Sequence, residues 1–192
     1  ILLGAGANPN RTQTFSKTPL HNAVLHNKLE FAKLLLKYKA NPNSVDCFDQ
    51  TPLYISVIAS PYPAMTKLLL KAGAHPNFRF KNQMPLLSVA ILHAFNTKHL
   101  KAISYLIKYG AKINETDMKK ETALHKAAFR GSAQLVQFLA KHRANIHAKN
   151  VFRKEPLDLA KLHRNHEAAN ELKLLAELEE EQEIMELFED NK

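Results

Sequence analysis

Ten histidines and one cysteine are the side chains in this 192-residue sequence that could ligate a metal or carry out nucleophilic chemistry. His163 and His166 stand three apart, so one helical face could present both, but no third ligand accompanies them. HExxH and CxxC are both missing, so the ligand types are there without the metal-binding pattern. Cys47 has no histidine fixed beside it in sequence, and a Cys–His nucleophile needs its base within hydrogen-bond reach. It reads as an ordinary exposed thiol, and a lone cysteine excludes an internal disulfide and fits a reducing compartment. The five glycines form no phosphate-cradling loop; Gly4-Ala5-Gly6 is a chance short match in a helix-ending segment. The sequence thus offers no catalytic residue, no metal site and no cofactor site, and its chemistry has to be sought in recognition.

The residues left for that task are aromatic and basic. Ten phenylalanines accompany 27 lysines and arginines against 18 acidic residues, a net charge of +9. The balance is split. From Glu171 onward nine acidic residues meet two lysines, a net of −7, so the preceding body carries +16. A basic body with an acidic end attracts acidic proteins or phosphates. No apolar run reaches the ~18 residues of a membrane span.

The elements that position these side chains are written five times. Thr18-Pro19-Leu20-His21, Thr51-Pro52-Leu53-Tyr54, Met84-Pro85-Leu86-Leu87, Thr122-Ala123-Leu124-His125 and Glu155-Pro156-Leu157-Asp158 follow one another at steps of 33, 33, 38 and 33 residues. Within Thr122–His147, Leu124, Ala127 and Ala128 form an apolar stripe at helical spacing. Arg130-Gly131 then breaks the helix, and Leu135, Val136, Phe138 and Leu139 form a second stripe. Asn27 takes the glycine's place in the first copy, since asparagine tolerates left-handed geometry. Ser60-Pro61-Tyr62-Pro63 separates the helices of the second copy. The third copy has five extra residues near His93–Leu100, expected to lengthen its helices by a turn, with Asn96 or Thr97 starting the second.

A period near 33 with a T-P-L-H start resembles the ankyrin-repeat family. The resemblance implies an all-α ankyrin-repeat solenoid of helix–turn–helix units with β-hairpin fingers. It divides the chain into the end of a truncated repeat (1–10), repeat 1 (11–45), repeat 2 (46–78), repeat 3 with its insertion (79–115), repeat 4 (116–149), repeat 5 as a cap (150–176) and an acidic helix or tail (177–192). The tail reads as a capping helix, or as an acidic arm folding onto the basic body. Leu2–Asn10 matches Leu69–Asn77, so a fragment of a longer protein is expected.

In such repeats the fingers and first helices line a concave groove. Carried over by position, contact residues are Phe15, Lys17, Phe48, Ile58, Phe80, Lys81, Lys119, Phe129, Arg130, Phe152 and Lys154, and Lys126 joins them from the basic residues that crowd repeats four and five. The five phenylalanines are the anchors, and Lys17, Lys119, Arg130 and Lys154 steer. The rings could instead pack between fingers and merely stiffen the stack. His21 and His125 are expected to make structural hydrogen bonds between fingers.

The expected function is non-enzymatic binding of a protein partner with an acidic patch, by a monomeric module. A basic nucleic-acid-binding surface is one alternative, with phenylalanines stacking bases. A targeting arm for an enzyme encoded in flanking sequence is another. The expected location is cytoplasmic. It would be host cytoplasm if the chain comes from a secreted effector of an intracellular bacterial pathogen, whose lysine- and asparagine-rich arrays it resembles in composition; eukaryotic scaffold proteins are the other source.

Overall fold

A computed structural model describes residues 6–59, 61–80 and 83–189, with side chains to residue 186. The chain divides into two compact units, Ile1–Lys112 and Ile113–Lys192.

The first unit holds α1 (Pro19–Leu25), α2 (Leu29–Lys37), α3 (Pro52–Tyr54) running into a π-helical turn (Ile55–Ala59), α4 (Pro63–Lys71), α5 (Leu86–Leu92) and α6 (Thr97–Lys108). Each repeat contributes one antiparallel pair. Proline at the first helical position starts α1, α3 and α4, where its missing N–H costs nothing. The five-residue insertion lengthens one helix only. α6 has 12 residues and is capped by Asn96, whose side chain accepts the N–H groups of Lys98 and His99; α5 keeps 7. Leu20, Leu35, Leu53, Met65, Leu69, Leu86, Ile103 and Leu106 form the buried core between pairs.

The second unit holds α7 (Ala123–Arg130), α8 (Ala133–Ala140), α9 (Pro156–Leu162) and α10 (His166–Glu189). α7 packs on α8 and α9, and α10 on α8 and α9. Leu124, Ala127, Ala128, Leu135, Val136, Leu139, Ala160, Ala168 and Leu172 are buried there. Gly131 ends α7 in the left-handed conformation at φ +76°. Asn27 does the same after α1 at φ +50°.

Two devices tie successive repeats together. Thr18 and His21 form a reciprocal cap at the start of α1, and the His21 ring crosses to the next repeat, Nε2 donating to the Gln50 carbonyl at 3.0 Å. Thr122 and His125 repeat this, with Nε2 donating to the Lys154 carbonyl at 3.1 Å. Both histidines thus make the expected bonds between fingers.

The second device is an asparagine clamp. Asn10 donates to the Lys39 carbonyl and accepts the Asn41 N–H. Asn43 bridges Gly73 and His75, and Asn77 bridges Gly110 and Lys112. In the second unit Asn114 bridges Arg143 and Asn145. One amide side chain satisfies both a helix-ending carbonyl and the N–H two residues on.

The expected β-hairpin fingers take another form. The second, fourth and fifth are tight turns, closed by Asp46 N–H to Gln50 O, Asp117 N–H to Glu121 O and Asn150 N–H to Lys154 O. Among the described residues the one β pairing is an isolated bridge between Arg79 and Pro85. Within the first unit the Phe15 and Cys47 fingers share one backbone bond, and within the second the Lys119 and Val151 fingers share one, and a single bond is no ladder.

Candidate protein-interaction faces

The finger turns are shaped by their first residue. Asp46 Oδ1 accepts the N–H groups of Phe48 and Gln50. Asp117 Oδ1 accepts those of Lys119 and Glu121, and Asn150 Oδ1 those of Phe152 and Lys154. An Asx turn of this kind folds the backbone back and throws the next two side chains outward. Left-handed residues complete the turns: Asp49, Lys120 and Arg153 have φ between +55° and +58°.

On the first unit, Phe15 and Phe48 are 58% and 59% exposed, with ring centroids 5.8 Å apart. The Cys47 N–H donates to the Phe15 carbonyl, so the two fingers lie side by side. Phe80 differs from them. It is half-buried and meets Tyr54 and Phe78 edge-on, at 5.3 and 5.2 Å. That is the packing role for a finger ring, and it leaves Phe80 little free surface. Lys17 and Ile58 are half-buried as well. Lys81 lies outside the described residues.

On the second unit, Phe152 is 68% and Phe129 50% exposed. Phe129 meets the His163 ring edge-on at 4.6 Å. The Val151 N–H donates to the Lys119 carbonyl, which sets fingers four and five in contact. Met118 and Val151 are exposed on the same two turns, and Lys119 and Lys154 are exposed beside them. Arg130 is half-buried.

Lys126 corrects the sequence expectation of a surface cation. It is only 8% exposed; its Nζ lies 2.7 Å from Asp117 Oδ2 and also bonds Glu121. Burial favours the neutral amine, but the two carboxylates outweigh it and hold the ammonium above the ordinary lysine value. Burial likewise pushes Asp117 up, and the Lys126 bond with the Glu121 and Lys119 amides brings it below the usual carboxylate range. This lysine is internal structure. Its consequence for the surface is indirect: Lys126 offsets one of the two acidic charges of finger four, and exposed Lys119 and Lys154 lie on that turn and the next.

Sequence reasoning missed Phe95, which is 73% exposed in the inserted segment between α5 and α6, because the repeat pattern has no slot for it. Among the described residues no group of three or more histidine, cysteine or acidic side chains could hold a metal ion. Nor is any helix there long and apolar enough to cross a membrane.

Known proteins bear on these faces. The family profile of ankyrin repeats, three copies, matches residues 1–80 and 86–183, and the chain belongs to the ankyrin-repeat family. It is similar to inversin of Canis lupus familiaris, 29% identical over 177 residues, and to inversin of Homo sapiens, 28% identical over 177 residues. Each of these matches covers 91% of this chain and 16% of the relative. An ankyrin repeat protein of Rickettsia bellii (strain RML369-C) is 32% identical over 146 residues, 76% of this chain and 20% of that protein. The chain thus spans about a sixth of the inversin length. Ankyrin repeats are general protein–protein interaction modules.

Proposed function

We propose that this chain is a non-enzymatic recognition module that binds an acidic, partly apolar segment of a protein partner on its finger and first-helix faces. The supporting observation is the second unit's surface. Phe152 stands exposed on the turn that carries exposed Lys154, exposed Lys119 lies on the adjoining turn, and Phe129 is exposed at the end of α7, while buried Lys126 offsets one of the two charges of Asp117 and Glu121. Aromatic anchors supply binding energy, and exposed cations steer an acidic partner in. Phe15 and Phe48 form the corresponding apolar contact on the first unit.

The test is titration calorimetry with a partner identified by affinity capture. Phe48→Ala/Phe152→Ala should weaken binding by a few kcal/mol, on the scale of interface hot spots. Lys119→Glu/Lys154→Glu should slow association and flatten its salt dependence. Wild-type affinity in both variants would overturn the assignment. The basic body with exposed rings also suits nucleic acid, and that reading predicts affinity for generic strands that falls steeply with salt.

A further inference from the structure

We infer that the projecting half of α10 is a second docking surface, of opposite charge, for a helix with a basic flank. α10 runs 24 residues, whereas α2, α4, α6 and α8 run 8 to 12. Its early turns bury Ala168, Ala169 and Leu172 against the repeat core. Beyond them one set of apolar residues is regularly spaced, with exposed Leu174 and Ile184 lying outside it. Leu175, Leu178 and Met185, with Gln182 between, stand at steps of 3, 4 and 3. That is the a/d spacing of a helix–helix seam. Leu178 and Met185 are exposed. The seam begins in a groove of about 830 Å³ whose opposite wall includes Phe138 and Ala144, and it continues along the helix past Gln182 to Met185.

The flanks say what sits there. With Leu175 at a, the e and g positions through the seam are Glu179, Glu181 and Glu186. All three are acidic, so two copies of this helix would set glutamate against glutamate. A helix with lysine or arginine at its own e and g positions would pair with every one of them. The helix also carries like-charge pairs at i,i+3 and i,i+4, such as Glu177–Glu180 and Glu179–Glu183, which disfavour it in isolation and which a cationic neighbour relieves. Glu179 already reaches His147 at 3.6 Å, which ties the start of the seam to the body. Lys141 and Arg143 also line the groove, and their like charge favours a basic flank turned toward α10.

The probe is a synthetic three-heptad helix with leucine at a and d and lysine at e and g, compared with the same helix carrying glutamate at e and g. Binding to the whole chain is read by fluorescence anisotropy at low and physiological salt. The lysine helix should bind at least about tenfold tighter than the glutamate helix. Leu178→Asp/Met185→Asp should lose at least about tenfold, and Glu181→Lys/Glu186→Lys should invert the preference. Gln182→Leu removes the polar a position and should tighten binding, a gain that misfolding cannot mimic. Equal binding of both helices would sink the inference, as would full binding by Leu178→Asp/Met185→Asp. Sedimentation showing that the unmodified chain pairs with itself through this seam would overturn it too. Phe129→Ala/Phe152→Ala should leave the lysine-helix affinity unchanged, which separates this surface from the finger faces.

Discussion

Lys126 and Asp117 form a buried ion pair at 2.7 Å between the first helix and the finger of one repeat. The same two places are filled differently elsewhere: Gln13 and Asn22 share a hydrogen bond of 3.2 Å, while the second repeat has Asp46 and apolar Ile55 at these places, and Asp46 Oδ2 is buried without a hydrogen-bond partner. Removing one partner of a buried pair strands the other's charge. Lys126→Met should therefore cost about 3 kcal/mol in urea unfolding. Asp46→Asn, which keeps the two amide bonds to Oδ1, should stay within about 1 kcal/mol of wild type. A small effect at Lys126 would mean that its carboxylates find water instead.

Acid should destabilise the protein through its two finger-bridging histidines. Burial holds His21 and His125 below the ordinary imidazole value, although the Gln50 and Lys154 carbonyls pull each upward. The unfolded chain thus binds protons that the folded chain resists, and stability rises with pH between the two values. Stability should be complete above the unfolded value near 6.5 and fall as pH drops through it, levelling off below the lowered folded value. Thermal melts between pH 7.5 and pH 5 read this directly. His21→Gln/His125→Gln should be less stable at neutral pH but show a shallower slope.

The turn geometry makes opposite demands at neighbouring repeats. Lys120 and Arg153 occupy left-handed positions that cost a side chain energy. Lys120→Gly and Arg153→Gly should each stabilise by about 0.5 kcal/mol, once the added freedom of the unfolded chain is subtracted. Gly131 is the reverse case. Its φ is +76°, and an added Cβ would lie 2.7 Å from Asn165 Oδ1, while Asn165 Nδ2 donates to the Ala128 and Phe129 carbonyls. Gly131→Ala should destabilise by more than about 1 kcal/mol, measured by denaturant midpoint.

Asn77→Ala should show what the inter-repeat clamp is worth. It leaves the Gly110 carbonyl and the Lys112 N–H to water at an exposed site, for a cost of about 1 kcal/mol. Asn43→Ala should match it, because the geometry is the same. Hydrogen exchange at His75 and Lys112 would report the loss locally.

Ring exposure separates the finger phenylalanines by stability alone. Phe152→Ala should change unfolding free energy by less than about 0.5 kcal/mol. Phe80→Ala removes a ring packed against Tyr54 and Phe78 and should cost about 1–3 kcal/mol. Equal costs would place both rings in the same role.

Local signals in the sequence determined the repeat period, the break at Gly131 and the bonding role of His21 and His125, because each depends on residues a few places apart or on the repetition itself. Position within the repeat also marked Phe15, Phe48, Phe129 and Phe152 as surface rings. The same rule grouped Phe80 with them, but it packs half-buried against Tyr54 and Phe78, and the crowd of basic residues put Lys126 on the surface, where it is buried. Whether a finger ring is exposed depends on what stands beside it, and Tyr54 and Phe78 come from outside the finger turn. Whether a lysine is a surface charge depends on the carboxylates that face it, and Asp117 reaches Lys126 from nine residues away. Those choices were made by the tertiary structure, since burial and ion pairing are properties of neighbourhoods in space, which a repeating pattern of residue types does not specify.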